Sequence, residues 1–187
     1  MDERKGSEIM ATYEEIAKAN AEMTVTPIKG KNYAEVPQRI QAFRKVYPNG
    51  SITTEILSCE DGVCVMKATA SDENGNIIGT GHAYEVEGSS FINKGSYIEN
   101  CETSAWGRAL AACGFIGGAS VASADELQNA LLGQQKVSAE DLEKLKALAD
   151  SKNVPIKNIL DAHNLKRLED MTNTDYVRAV RNLNEMR

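Results

Sequence analysis

A chain of 187 residues with 42% hydrophobic and 26% charged residues has room for one sizeable core, or one domain with a small appendage. No apolar run reaches the roughly 20 residues needed to span a bilayer. The start, Met1-Asp2-Glu3-Arg4-Lys5-Gly6, lacks the apolar stretch of a secretory leader, so a cytoplasmic protein is expected. The net charge of −6 excludes a uniformly basic surface but not a segregated one.

In chain order, Ser7 to Asn20 carries Ile9, Met10, Tyr13, Ile16 and Ala17 at helical spacing. Pro27 and Gly30 then break the chain. A second helix is expected from Ala34 to Val46, with Val36, Ile40, Phe43 and Val46 on one face and Pro37 in the first turn. Arg39, Arg44 and Lys45 are read as lying away from that stripe. Between Lys29 and Gly50 the basic residues Lys29, Lys31, Arg39, Arg44 and Lys45 face a single acid, Glu35. Such a local concentration, gathered into one trough, is the electrostatic footprint of a phosphate-binding surface.

Strand chemistry follows the Pro48-Asn49-Gly50 turn. Strands are expected at Ile52–Ser58, Val63–Ala70 and Ile77–Val86, separated by Asp61-Gly62 and by Asp72-Glu73-Asn74-Gly75, where Asn-Gly suits a tight hairpin. Gly79 and Gly81 allow a bulge or a close approach of another backbone. A helix from Tyr97 to Cys113, stopped by Gly114, presents Cys101, Ala105, Ala109, Ala112 and Cys113 as a small-residue face suited to lying on a sheet. One more helix is expected at Ser123–Leu132.

From Val137 the character changes. Ser138-Ala139-Glu140-Asp141 opens a helix to Lys152; Pro155 begins a short one, Leu165 and Leu168 make a turn, and Thr174 to Met186 forms the last helix. The expected organisation is a core at 1–132, a linker at 133–136 and a three-helix module at 137–187. The fold class is α+β: a three-stranded antiparallel meander crossed by a central helix, with N-terminal helices and a small C-terminal helical module.

Catalytic signatures are missing. There is no phosphate loop, no GxSxG elbow and no HExxH, and no glycine fingerprint precedes a helix. Cys59, Cys64, Cys101 and Cys113 form no CxxC pair, and only His82 and His163 could join them, so no metal or other cofactor is expected. Cys59 and Cys64 flank a turn and could face each other across a hairpin; free thiols are the reading for a reducing compartment. Glu99 and Glu102, one turn apart, either hold a magnesium ion or favour the dipole at a helix start. Trp106 either stacks on a base or packs the helix on the sheet. Arg108 faces phosphate or pairs with an acid such as Glu102. Tyr33, Tyr47 and Tyr97 adjoin basic residues, with Lys94 three positions before Tyr97. Aromatics interleaved with cations are what a single-strand groove uses.

The order Lys31-x-Tyr33, Pro37-Gln38-Arg39-Ile40-Gln41-Ala42-Phe43-Arg44, Pro48-x-Gly50-x-Ile52-x-Thr54-Glu55, Gly81-His82-Ala83-Tyr84-Glu85 and Glu99-Asn100-x-Glu102-Thr103-Ser104-Ala105-x-Gly107-Arg108-Ala109-Leu110 resembles phage single-strand annealing proteins of the ERF and Rad-fifty-two-like superfamily. The resemblance covers roughly residues 25 to 130, and the tail from Val137 is similar to a small helical docking module fused behind such proteins. It implies a β-β-β-α core, a ring or filament of subunits, and a non-enzymatic protein of a bacterial host cell's cytoplasm. Its activity would be single-stranded DNA binding and ATP-independent annealing of complementary strands in phage or prophage recombination. Expected DNA contacts are Lys29, Lys31, Arg39, Arg44, Lys45, Lys94 and Arg108, with Tyr33 and Tyr97 for stacking. A phage exonuclease or the host single-strand-binding protein would dock on residues 137–187. Other readings are a passive single-strand binder, a metal-dependent nuclease, or a structural or anti-defence protein reusing the fold.

Overall fold

The computed structural model describes residues 11–89, 93–117, 121–122 and 124–186. Thr12 opens α1 (Tyr13–Ala21) with a reciprocal cap: its hydroxyl accepts from the Glu15 N–H, and the Glu15 carboxylate accepts from the Thr12 N–H at 2.8 Å. The part of the expected helix before residue 11 lies outside the described residues.

Pro27 and Gly30 do not simply break the chain. Strands β1 (Val25–Ile28) and β2 (Lys31–Ala34) pair as a hairpin, with Ile28 opposite Lys31. The two linking residues, Lys29 (φ 49°) and Gly30 (φ 77°), both adopt left-handed backbone, as a tight turn that follows strand twist requires. Pro27 is tolerated because this ribbon has only two strands, so its missing N–H can face outward. Helix α2 (Val36–Val46) follows, with Pro37 in its first turn and Val36, Ala42 and Phe43 buried.

Strands β3 (Ser51–Glu60), β4 (Val63–Ser71) and β5 (Ile77–Val86) form an antiparallel meander in sequential order. Asp61 and Gly62, both at positive φ, close the first hairpin. The second connection differs from the expected Asn-Gly tight turn, because Asn74 is not at positive φ. Instead the Asp72 carboxylate accepts from the N–H groups of Asn74 and Asn76 and from the Asn76 amide, at 2.9, 2.8 and 2.9 Å. The Asn76 side-chain bond, ahead of the backbone ones, holds that carboxyl below the usual range.

Helix α3 (Asn93–Ala112) is interrupted at Ser96 (φ −139°, ψ 30°), so the regular helix runs from Tyr97. It ends in a Schellman motif: Phe115 N–H donates to Leu110 O and Gly114 N–H to Ala111 O, both at 3.0 Å, with Gly114 at φ 94°. Cys101, Ala105 and Ala109 are buried against the sheet. The approach is backbone-close: a Cβ on Gly79 would fall 2.7 Å from Ala109 O, and one on Gly81 2.6 Å from Ala105 O. An aromatic cluster closes the end of this core, Phe115 meeting Phe43 edge-on at 5.8 Å and Tyr47 at 6.4 Å.

The chain divides into two compact units. One takes the chain up to Tyr84 together with Glu99–Glu126; the other takes Glu85–Ile98 with Leu127–Arg187. The second holds α4 (Ala124–Gly133) from Leu127 on, α5 (Ala139–Ser151), α6 (Ile156–Ala162), a 3-10 turn (Leu168–Asp170) and α7 (Asn173–Glu185). Leu142, Leu145, Ala149, Ile159, Leu168, Met171, Ala179 and Leu183 are its core. Residues 133–136, expected as a linker, are fastened to the start of α7: Asn173 N–H donates to Gln135 O at 2.8 Å and Thr174 Oγ1 to Gly133 O at 3.1 Å. No helix of the described residues is long and apolar enough to cross a membrane.

Candidate nucleic-acid interface

One of the expected basic residues is not at the surface at all. Arg39 is fully buried, its guanidinium donating to the carbonyls of Gly107 (2.7 Å), Val121 (2.8 Å) and Ala122 (3.0 Å). Its assignment as a phosphate contact is therefore corrected: it ties α2 to α3 and to the segment at 121–122. The helical spacing carried the signal. Arg39 lies three residues after Val36 and four before Phe43, so it shares their inward face.

Arg44 and Lys45 are exposed on the last turn of α2 but internally engaged. Arg44 donates to the Gly50 carbonyl and covers the Phe43 ring at 5.3 Å. Lys45 pairs with Glu22 at 2.7 Å, and that hydrogen bond holds the Glu22 carboxyl low. Both are surface contacts that water and salt readily replace. Lys29 and Lys31 are exposed at the β1–β2 turn, and their side chains make no ion pair or hydrogen bond among the described residues; Tyr33, half-buried, shares the strand face of Lys31. Arg108 is exposed on α3. Tyr97 is half-buried and belongs to the other unit, and the Lys94 side chain lies outside the described residues.

Trp106 resolves toward packing: its Nε1 donates to Thr54 Oγ1 at 2.6 Å, fixing α3 to β3. Glu99 is exposed and Glu102 half-buried, and among the described residues no group of three or more His, Cys, Asp or Glu side chains is placed to hold a metal ion.

The sheet itself supplies what the basic stretch does not. On β4, Cys64, Met66, Ala68 and Ala70 are buried beneath α3, so Val65, Lys67 and Thr69 point to the opposite face. On β5, Gly79 and Gly81 face the helix, so Thr80, His82 and Tyr84 point away from it. All three are exposed, Tyr84 at 69%. On β3, Thr54 is bonded to Trp106, which leaves Thr53 and Glu55 on the open side, opposite Thr69 and Lys67 respectively. A phenol, an imidazole and an ammonium, with the Glu55 carboxylate opposite the ammonium, thus share one open β-surface. The signal in the sequence is the alternation Gly79-Thr80-Gly81-His82-Ala83-Tyr84, small inward and large outward. His82, taken alone, carried no such meaning.

Residues 40–113 match the family model described as Slr1353 N-terminal dsRNA-binding domain-like. The matched stretch runs from α2 to just past the end of α3 and includes the whole meander. It indicates a nucleic-acid-binding domain. That description names a different kind of domain from the annealing superfamily that the helix motif resembles; nucleic acid is what the two have in common. No curated protein and no solved structure matches the chain.

Proposed function

We propose that this protein binds single-stranded DNA and anneals complementary strands without nucleotide hydrolysis, as a non-enzymatic recombination factor of a phage or prophage. The observation that carries the reading is the open face of the sheet, which Tyr84 and His82 share with Lys67 within the matched segment. Exposed aromatic rings on a flat β-surface stack on unpaired bases, which a duplex keeps inside its own stack. Lys67 on this face, with Lys29 and Lys31 on the β1–β2 hairpin, supplies cations for the backbone, and binding of this kind reads no sequence. Annealing then runs downhill on base pairing and needs no ATP. The subunits work as a ring or filament, and the helical unit around α5 to α7 is the place where an exonuclease or a host single-strand-binding protein docks.

A second reading, duplex RNA binding, has the wording of the matched description behind it. One experiment separates the two. Complementary labelled oligonucleotides are mixed with the protein without ATP or metal, alongside titrations of single-stranded DNA, duplex DNA and duplex RNA. The proposal expects faster pairing and preference for single strands. Tight binding of duplex RNA with no gain in pairing rate would replace it, and binding of single strands without faster pairing would reduce it to passive coating.

A further inference from the structure

We infer that Cys59 and Cys64 are a thiol pair built to close into a disulfide across the β3–β4 hairpin, a modification site independent of what the domain binds. The two residues are register partners, directly opposite in an antiparallel pair. Residues so placed have Cα atoms about 4.5 or 5.5 Å apart, and both spacings fall within the range of about 4.4–6.8 Å that a disulfide spans. A register shift between Ile56 and Ser58 is what brings them together. Strict alternation from Thr54, whose hydroxyl meets Trp106 on the helix side, would turn Cys59 to the open side. The bulge reverses that alternation, so Cys59 shares the face of buried Cys64.

The two thiols differ in the way a two-step exchange uses. Cys59 is exposed and Cys64 buried, both unbridged in this structure. The Cys64 thiol is within hydrogen-bonding reach of the Cys59 and Cys101 thiols, and burial first, then those neighbours, pushes it up to about 12. Its burial shields it from reagents in solution, so it is reached through exposed Cys59. The co-reactant is a low-molecular-weight disulfide. The Cys59 thiolate attacks one of its sulfurs, forming a mixed disulfide and releasing one thiolate. Cys64 then gives its proton to solvent and attacks the Cys59 sulfur, expelling the second thiolate. Two protein thiols are oxidised to one disulfide, and the small disulfide is reduced to two thiols. The result fastens β3 to β4 beyond the bulge. Cys101, fully buried on α3 with its thiol directed at the carbonyls of Cys64 (3.4 Å) and Ala83 (3.5 Å), is the competing partner.

The test incubates the full chain with oxidised glutathione, removes the oxidant, alkylates the remaining thiols in denaturant so that buried ones react too, and measures intact mass. Of the four cysteines, two are expected to escape alkylation, with a mass two hydrogens lighter and no glutathione retained. Cleavage at Glu60 or Asp61 should leave the flanking peptides joined until reductant is added. Cys101→Ser should behave as the parent, and Cys59→Ser, a change at an exposed position, should have all three of its remaining thiols alkylated once unfolded. Four alkylated thiols in the parent, a persistent glutathione adduct on Cys59, or two lost thiols in Cys59→Ser would overturn the assignment.

Discussion

Replacing Arg39 by alanine distinguishes a structural from a ligand-binding role at the position where sequence and structure disagree most. The side chain is fully buried and donates to three backbone carbonyls on two other segments. A hydrogen bond from a charged donor contributes about 1.5–3 kcal/mol, so three give at most about 9. Deleting the side chain also removes the desolvation cost of the buried cation, several kcal/mol on its own, and leaves a net loss of about 3–5 kcal/mol. Against a domain stability of about 5–15 kcal/mol this is a large fraction. Trp106 is the sole tryptophan and lies in the same unit, so its fluorescence in a urea titration reports the transition directly. Arg39→Lys should recover little, since a single ammonium nitrogen replaces the two guanidinium nitrogens that reach these carbonyls. Under conditions where Arg39→Ala is folded, its affinity for oligonucleotides should match the parent. A variant of parental stability with weakened binding would refute the reasoning and return Arg39 to the interface.

Tyr84→Ala, an exposed change, should leave the unfolding midpoint unmoved and weaken single-strand binding by about 1–3 kcal/mol, measured by fluorescence anisotropy. Lys29→Asn, which keeps left-handed backbone accessible, combined with Lys31→Gln should lower the slope of log affinity against log salt by about 1.4, as two phosphate contacts are lost. Gly81→Ala places a methyl 2.6 Å from Ala105 O, so a loss of about 1–3 kcal/mol is expected in the same urea titration. In the helical unit, Asp175 caps α7 and faces His163 at 3.4 Å. Burial pushes its carboxyl up, but the Thr172 and His163 hydrogen bonds outweigh this and hold it low. A carboxyl lowered by folding stabilises above its unfolded value, about 3.9, and loses that contribution as pH falls through the folded one. The α7 amide signals should therefore disperse less at strongly acidic pH, and Asp175→Asn should blunt that dependence.

The meander and its helix were legible because each element obeys one period. Cys64, Met66, Ala68 and Ala70 alternate cleanly, and Gly114 stops α3 where the small-residue face ends. The β1–β2 hairpin was hidden: its strands are four residues long, too short for alternation to register, and its turn is Lys29-Gly30 rather than an asparagine-glycine pair. The role of Arg39 was hidden for a related reason. Charge was counted along the chain, whereas Arg39 is held inward by helical spacing and Arg44 and Lys45 are engaged by neighbours that sequence distance conceals. The open face became visible only when the glycines of β5 were seen to lie against α3, because that contact decides which way Tyr84 points.

Amide and side-chain shifts during titration with a short oligothymidine test the central claim most directly. Perturbations gathered on Lys67, Thr69, Thr80, His82 and Tyr84, with weaker ones at Lys29 and Lys31, are the predicted result. Shifts confined to other surfaces, or none at low salt, would contradict the assignment of the open sheet face as the place where unpaired bases stack.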